Sequence, residues 1–245
     1  MANGDGLLIY GKHSVLSALK NRNRDFIKIY TSNIRKLNDF LEDNGISVKN
    51  IVEYKNNGEL NNFLGENINH QGYVARVSER KRLTIDDFIL KECKDKRNLP
   101  RLLILDQLTD PHNVGAIIRT AVAFGVNYII MTKYNSPKDS PVIAKSSAGM
   151  SEIINMVEVV NVNQTIEILK NTGYFVIGLA GEAKNDIKSI TDNKNLCLVV
   201  GNEGNGLRPL VKRNCDILYR ISMQNNVESL NVSVASAIAM YQLWS

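Results

Sequence analysis

Four apolar runs of strand length limit what this chain can fold into: Arg101–Asp106, Val126–Thr132, Tyr174–Ala180 and Leu196–Val200. They alternate with segments of helical periodicity, His112–Phe124, Asn163–Asn171 and a long final one, Ser229–Leu243. Continuous apolar strands interleaved with helices predict a mainly parallel sheet buried on both faces. Open sheets of this kind place their ligands outside the carboxyl ends of the strands. The segments that follow the apolar runs are therefore where chemistry is expected.

The first 77 residues read differently. A helix is expected at His13–Lys20, a strand at Phe26–Tyr30, a helix at Ile34–Asn44, strands at Lys49–Glu53 and Tyr73–Val77, and a short helix at Glu59–Leu64. Residues 5–77 thus form a small α/β domain, and residues 99–245 a larger one. Between them, residues 78–98 read as a basic linker with one short helix around Ile85–Leu90. Residues 76–98 carry eight Lys/Arg against five Asp/Glu, a large part of the chain's net charge of +5. Solvation explains such a stretch; contact with RNA phosphates is the functional alternative. No apolar run approaches the roughly 20 residues of a membrane span. The opening residues, MANGDGLLIYGKH, lack the basic start and apolar core of a secretory signal. Three scattered cysteines, Cys93, Cys197 and Cys215, form neither a C-x-x-C pair nor an even set. The expectation is a cytoplasmic protein without a metal site.

Three segments carry the candidate chemistry. The first, Leu105–Ala121, leaves an apolar run through Asp110-Pro111-His112-Asn113 and enters a helix containing Arg119. Asp110 suits an N-cap and Pro111 the first helical position, so capping alone accounts for both. Arg119 is harder to explain, because the helix around it is apolar on nearly every face. Unpaired burial of a guanidinium costs several kcal/mol, so it must snorkel to the surface or meet a carboxylate or phosphate. The second segment, Leu198–Leu207, runs from a strand into Gly201-Asn202-Glu203-Gly204-Asn205-Gly206. Its glycines permit close backbone approach by a ligand, and Glu203 is the candidate partner of Arg119. It matches neither the P-loop nor the dinucleotide fingerprint, which weakens a dehydrogenase reading. The third, Glu228–Met240, begins with Ser229 as candidate N-cap and Asn231 in the first turn of a helix apolar all round.

In this order the three segments resemble the motifs of the SpoU (TrmH-like) branch of the SPOUT methyltransferases, over roughly residues 101–245. Lys145-Ser146-Ser147-Ala148-Gly149-Met150 is similar to a stretch that lies between the first two motifs in that family. Tyr10-Gly11-Lys12-His13-Ser14-Val15 and His70-Gln71-Gly72 resemble the small L30e-like substrate-binding domain of bacterial members that methylate a guanosine of 23S rRNA.

The resemblance implies an α/β fold whose C-terminal part is a trefoil-knotted SPOUT domain. It implies S-adenosylmethionine as cofactor, held through Gly201, Ile221 and Leu230, and a homodimer with the active site near its interface. The substrate would be RNA, 23S rRNA ahead of tRNA, methylated on a ribose 2′-hydroxyl. Arg119 would orient the target phosphate and ribose. Arginine is not deprotonated in proteins, so an orienting role is preferred to that of a general base. Asn113 and Asn231 would shape the site or bind substrate, Glu203 would fix Arg119, and Ser229 would lie beside the transferred methyl. The alternatives are a base methyltransferase of the same superfamily, a tRNA 2′-O-methyltransferase, and a non-catalytic RNA-binding protein with a degenerate knot.

Overall fold

The computed structural model describes residues 6–48, 50–65, 68–190, 195–224 and 229–245. Asp5, Lys49 and Glu228, where the first domain, its second strand and the third motif were expected to start, lie outside the described residues. The chain divides into two compact units. One comprises Met1–Lys81 and Lys138–Ile153, the other Arg82–Pro137 and Ile154–Ser245.

The first unit holds β1 (Leu7–Tyr10), α1 (Lys12–Lys20), β2 (Phe26–Thr31), α2 (Ile34–Asp43), β3 (Val52–Tyr54), α3 (Asn57–Leu64) and β4 (Tyr73–Val77). Its sheet has the order β1-β4-β2-β3, with β2 and β3 parallel and the other pairs antiparallel. Ile9, Val15, Ile29, Leu37 and Ala75 build its core. Ala144 joins that core from a later helix (Pro141–Ser146), and the Ser14 hydroxyl donates to the Ala144 carbonyl at 3.0 Å. Gly149 has φ +80°, and a Cβ there would lie 2.5 Å from the His13 carbonyl oxygen. Glycine lets this turn close on α1.

A buried charge cluster also ties residues 138–153 to the first unit. Asp139 accepts from Arg24 Nη1 at 2.9 Å and from Arg80 Nη2 at 2.7 Å, while Glu152 lies 3.4 Å from Arg24. The Arg24 side chain is 0% exposed and that of Asp139 7%. Burial raises the Asp139 pKa, but Arg80 and Arg24 outweigh it and hold the carboxyl at about 2.

The second unit continues with α4 (Ile85–Glu92), β5 (Leu102–Leu105), α5 (Pro111–Ala123) and β6 (Tyr128–Thr132); α6 is the Pro141–Ser146 helix of the first unit. It resumes with β7 (Asn155–Val159), α7 (Val162–Thr172), β8 (Phe175–Leu179), β9 (Asn185–Asp186), β10 (Leu196–Val200), α8 (Pro209–Asn214), β11 (Ile217–Arg220) and α9 (Val232–Trp244). The sheet order is β7-β6-β5-β10-β8-β11-β9, and every pair is parallel. All residues of β5, β6 and β10 are buried, as their unbroken apolar character requires. The central neighbours β5 and β10 are in register, with Leu105 beside Val200, so the first two motifs leave the sheet side by side. Among the described residues no helix is long and apolar enough to cross a membrane.

Candidate active site

The loops after β5 and β10 are joined by polar contacts. Asp106 N–H donates to the Val200 carbonyl at 2.8 Å, and Asn202 Nδ2 donates to the Gln107 carbonyl at 2.9 Å. The Asp106 side chain, 0% exposed, accepts from Arg208 Nη2 at 2.6 Å and Nε at 3.0 Å. This forked pair supplies the partner that a carboxylate closing an apolar strand requires. Sequence reading passed over it, although the charge at the end of that run was a usable signal.

The glycine loop folds back on itself. Asn202 and Gly206 exchange both backbone hydrogen bonds, at 3.1 and 2.9 Å, and Gly204 N–H donates to Asn202 Oδ1 at 3.0 Å. A Cβ on Gly201 would come within 2.2 Å of the Gly206 carbonyl carbon and 2.3 Å of Leu207 N. Backbone atoms cannot swing aside as a side chain can. Gly201→Ala is therefore expected to weaken binding of S-adenosylmethionine, the cofactor that the resemblance implies, about tenfold or more, since overpacking costs roughly 1–3 kcal/mol. Calorimetric titration checks this, and affinity within twofold of the parent would remove Gly201 from the cofactor loop.

Beside this loop lies a cavity of about 390 Å³. It is walled by the segments after β10, β8 and β11, which are neighbours in the sheet, and by the approach to α9. Gly201, Ile221 and Leu230 all line it, as do Glu203 and Ser229. The turn after β8, Leu179–Glu182, also contributes and was not singled out in the sequence, where nothing but its position after an apolar run marked it. Glu182 there pairs with Lys212, which lowers its pKa.

Asn113 sits in the first turn of α5, behind Asp110, whose side chain caps His112 N at 2.9 Å. Asn113 Nδ2 donates to Glu203 Oε1 at 2.9 Å, and Asn231 Nδ2 donates to Asn113 Oδ1 at 3.1 Å. One residue from each motif thus meets in a single chain of hydrogen bonds.

Two expectations are corrected. Glu203 bonds Asn113, not Arg119. Arg119 lies six positions beyond Asn113, an advance along α5 of about 9 Å and a turn of about 240°, so one carboxylate at the first turn does not serve both. Nor is the face of α5 that carries Arg119 buried. Arg119 is exposed, on the side of the helix away from Val114, Ile117, Ile118 and Ala121, and among the described residues it has no ion pair or hydrogen bond. A third correction concerns α9. Asn231, not Ser229, is its N-cap, accepting from Ser233 N at 2.9 Å, which leaves Ser229 on the cavity wall.

Among the described residues no group of three or more His, Cys, Asp or Glu side chains is placed to hold a metal. The cavity fits S-adenosylmethionine in size and kind. Its volume falls within the roughly 300–1,000 Å³ of small-molecule sites. Glycine-rich backbone offers polar groups, Leu179, Ile221 and Leu230 offer apolar faces, and the Glu203 carboxylate suits a cationic sulfonium.

Two family models match, and together they define a class, the RNA ribose methyltransferases with a separate substrate-binding domain. Residues 8–83 match the family described as RNA 2′-O ribose methyltransferase substrate binding, and residues 100–241 match the SpoU rRNA Methylase family. The chain belongs to the SpoU rRNA methylase family. It is 38% identical over 240 residues to the 23S rRNA (guanosine-2′-O-)-methyltransferase RlmB of Coxiella burnetii, covering 96% of this chain and 94% of that protein. It is 36% identical over 243 residues to a putative TrmH family tRNA/rRNA methyltransferase of Staphylococcus haemolyticus, covering 98% and 96%. The fold is similar to that of the AdoMet-bound rRNA methyltransferase from Sinorhizobium meliloti. The TM-score there is 0.77 at 22% identity, over 97% of this chain and 86% of that one.

Proposed function

We propose that this protein transfers a methyl group from S-adenosylmethionine to the ribose 2′-hydroxyl of a guanosine in 23S rRNA. The observation that carries this reading is the meeting of Asn113, Glu203 and Asn231 beside a cavity lined by Gly201, Ile221 and Leu230. The cofactor would supply a methyl on a positively charged sulfur; the sulfur would keep the bonding electrons as the ribose oxygen takes the methyl and gives up its proton to solvent. Positioning is then the protein's main contribution, worth on the order of 7–11 kcal/mol in favourable cases. Gly201, Ile221 and Leu230 hold the cofactor, and Ser229 lies close to the methyl. Asn113 and Asn231 present amides to the ribose, with Glu203 fixing Asn113. Arg119 grips the neighbouring phosphate and orients the 2′-hydroxyl.

The active unit is a homodimer, knotted as its family is, and it works in the cytoplasm. Support for the dimer comes from α9, which leaves Val234, Ile238 and Tyr241 exposed at helical spacing.

The test uses labelled S-adenosylmethionine with transcripts of 23S rRNA and tRNA. Label is expected in 23S rRNA, at a nucleotide whose 3′ linkage resists alkali, because 2′-O-methylation removes the attacking hydroxyl. Alkali-sensitive product would mean base methylation. Label in tRNA alone would move the substrate. Absence of S-adenosylmethionine binding would leave a non-catalytic RNA-binding protein.

A further inference from the structure

The first unit contains a second cavity, of about 340 Å³, between the start of α2, the helix α3 and the loop leading to β4. Asn33, Asn57, Asn61 and Asn69 line it together with Ser32 and His70, and among the described residues no carboxylate lines it. With Gln71, five carboxamides on one concave surface are a concentrated supply of hydrogen-bond donors and acceptors. Their bonding is left largely open. Among the described residues the side chains of Asn33, Asn57 and Asn69 make no hydrogen bond. Asn33 is the N-cap of α2, a position where asparagine is among the best caps, yet its side chain does not cap.

The wall is rigid. His70 is buried; its Nδ1 accepts from Gly72 N–H at 2.9 Å, so Nε2 carries the proton and donates to Asn61 Oδ1 at 2.9 Å. Burial lowers the His70 pKa, and the charge of Lys145 adds to it against an opposing hydrogen bond to the Asn57 backbone. With its oxygen so engaged, Asn61 is left with its NH₂ as a donor for a ligand. Gly72 has φ +79°, and a Cβ there would lie 2.5 Å from Ser32 Oγ and 3.0 Å from Asn33 Nδ2. Lys145 Nζ holds the rim, donating to the Asn69 carbonyl at 2.8 Å and to Gln71 Oε1 at 3.4 Å. Arg35 and Lys36 follow Asn33 in the first turn of α2, which carries no acid.

Sequence-selective RNA readers splay single-stranded bases out of the stack and hydrogen-bond their edges. A base-sized cavity of amides with cations beside it suits that ligand better than a peptide. Accordingly, and resting on the reading of the chain as an RNA methyltransferase, we propose that this cavity receives one unpaired nucleotide of the substrate RNA, separate from the nucleotide that is methylated. Asn61 donates to an acceptor on the base, Asn33 and Asn57 bind its remaining edge, and Lys145, Arg35 and Lys36 face the backbone phosphates.

The experiment compares the full-length protein with Asn57→Ala/Asn61→Ala and with Asn61→Asp, which keeps the shape but replaces the donor by a carboxylate. Both positions of substitution are exposed on α3, and thermal melts confirm folding. For methylation of naked 23S rRNA, KM is expected to rise about tenfold in each variant, the loss of one or two hydrogen bonds. Turnover at saturating RNA and S-adenosylmethionine affinity are expected to stay within twofold. An unchanged KM, or a fall in kcat with KM unmoved, overturns the proposal. So does a defect seen on ribosomal particles but not on naked RNA, which would give the cavity to a protein partner. If the parent transfers no methyl at all, the functional reading fails separately. The cavity is then judged by ¹⁵N side-chain amide spectra with millimolar AMP, CMP, GMP and UMP. Shifts at Asn33, Asn57 and Asn61 sustain it, and no shift with any of the four refutes it.

Discussion

Arg119→Lys is expected to lower methyl transfer by about 10²–10³-fold, the range for removing one aligned donor from a reacting centre. S-adenosylmethionine affinity should change less than twofold, because Arg119 does not line the cofactor cavity. The argument rests on where α5 leaves the guanidinium. It is exposed, on the same helix as Asn113 but free of the Glu203–Asn113–Asn231 chain. A guanidinium held by no described residue keeps its five donors for a phosphate and ribose. Lysine keeps the charge but loses the planar fork, so it attracts the RNA without fixing the angle of the 2′-hydroxyl. Single-turnover transfer to 23S rRNA, alongside calorimetry with the cofactor, separates the two effects. Near-normal turnover in the lysine variant would remove Arg119 from the reaction.

Asp139→Ala is expected to destabilise the first unit by about 3–5 kcal/mol, the usual penalty for removing one partner of a buried ion pair. Arg24 has no exposed side-chain surface, and Glu152, at 3.4 Å, would remain its acidic neighbour without hydrogen-bond geometry. Arg80 would lose its partner as well. The same pair gives a pH signature. Its folded pKa, about 2, lies below the roughly 3.9 of an unfolded aspartate. The contribution is therefore complete above about pH 4 and is lost as pH falls toward 2. Hydrogen exchange at β2 and β4 reads this opening directly. A loss under 1 kcal/mol would mean that the cluster does not secure residues 138–153.

Periodicity revealed the elements with long, uniform patterns. Tyr73–Val77 and Leu196–Val200 were expected at the bounds they occupy, and α5 and α7 within a residue at each end. It missed β1, although Leu7–Tyr10 is an apolar run, and it missed several elements with weak local signals. In β7, Asn155 and Glu158 interrupt the apolar run; α6 is six residues with a lysine and a serine; β11 has only four residues. Their identity comes from neighbours, as when β7 pairs with β6 at the sheet edge. The start of α9 was misplaced because Ser229 and Asn231 are both good caps. The choice fell to Asn231, whose amide also reaches Asn113.

By itself the sequence determined that the larger unit is a parallel α/β sheet, since runs such as Leu102–Leu105 and Leu196–Val200 are stable only when covered on both faces. It also singled out Asn113, Glu203 and Asn231 as candidates, because they follow strand ends or open helices. Tertiary structure decided which of these touch. The adjacency of β5 and β10 brings Glu203 to Asn113, and the phase of α5 turns Arg119 away from both. It also decided that residues 138–153 pack into the first unit. That depends on partners, buried Arg24 and Ser14 and partly buried Arg80, that lie more than fifty residues away in the chain, beyond the reach of any local pattern.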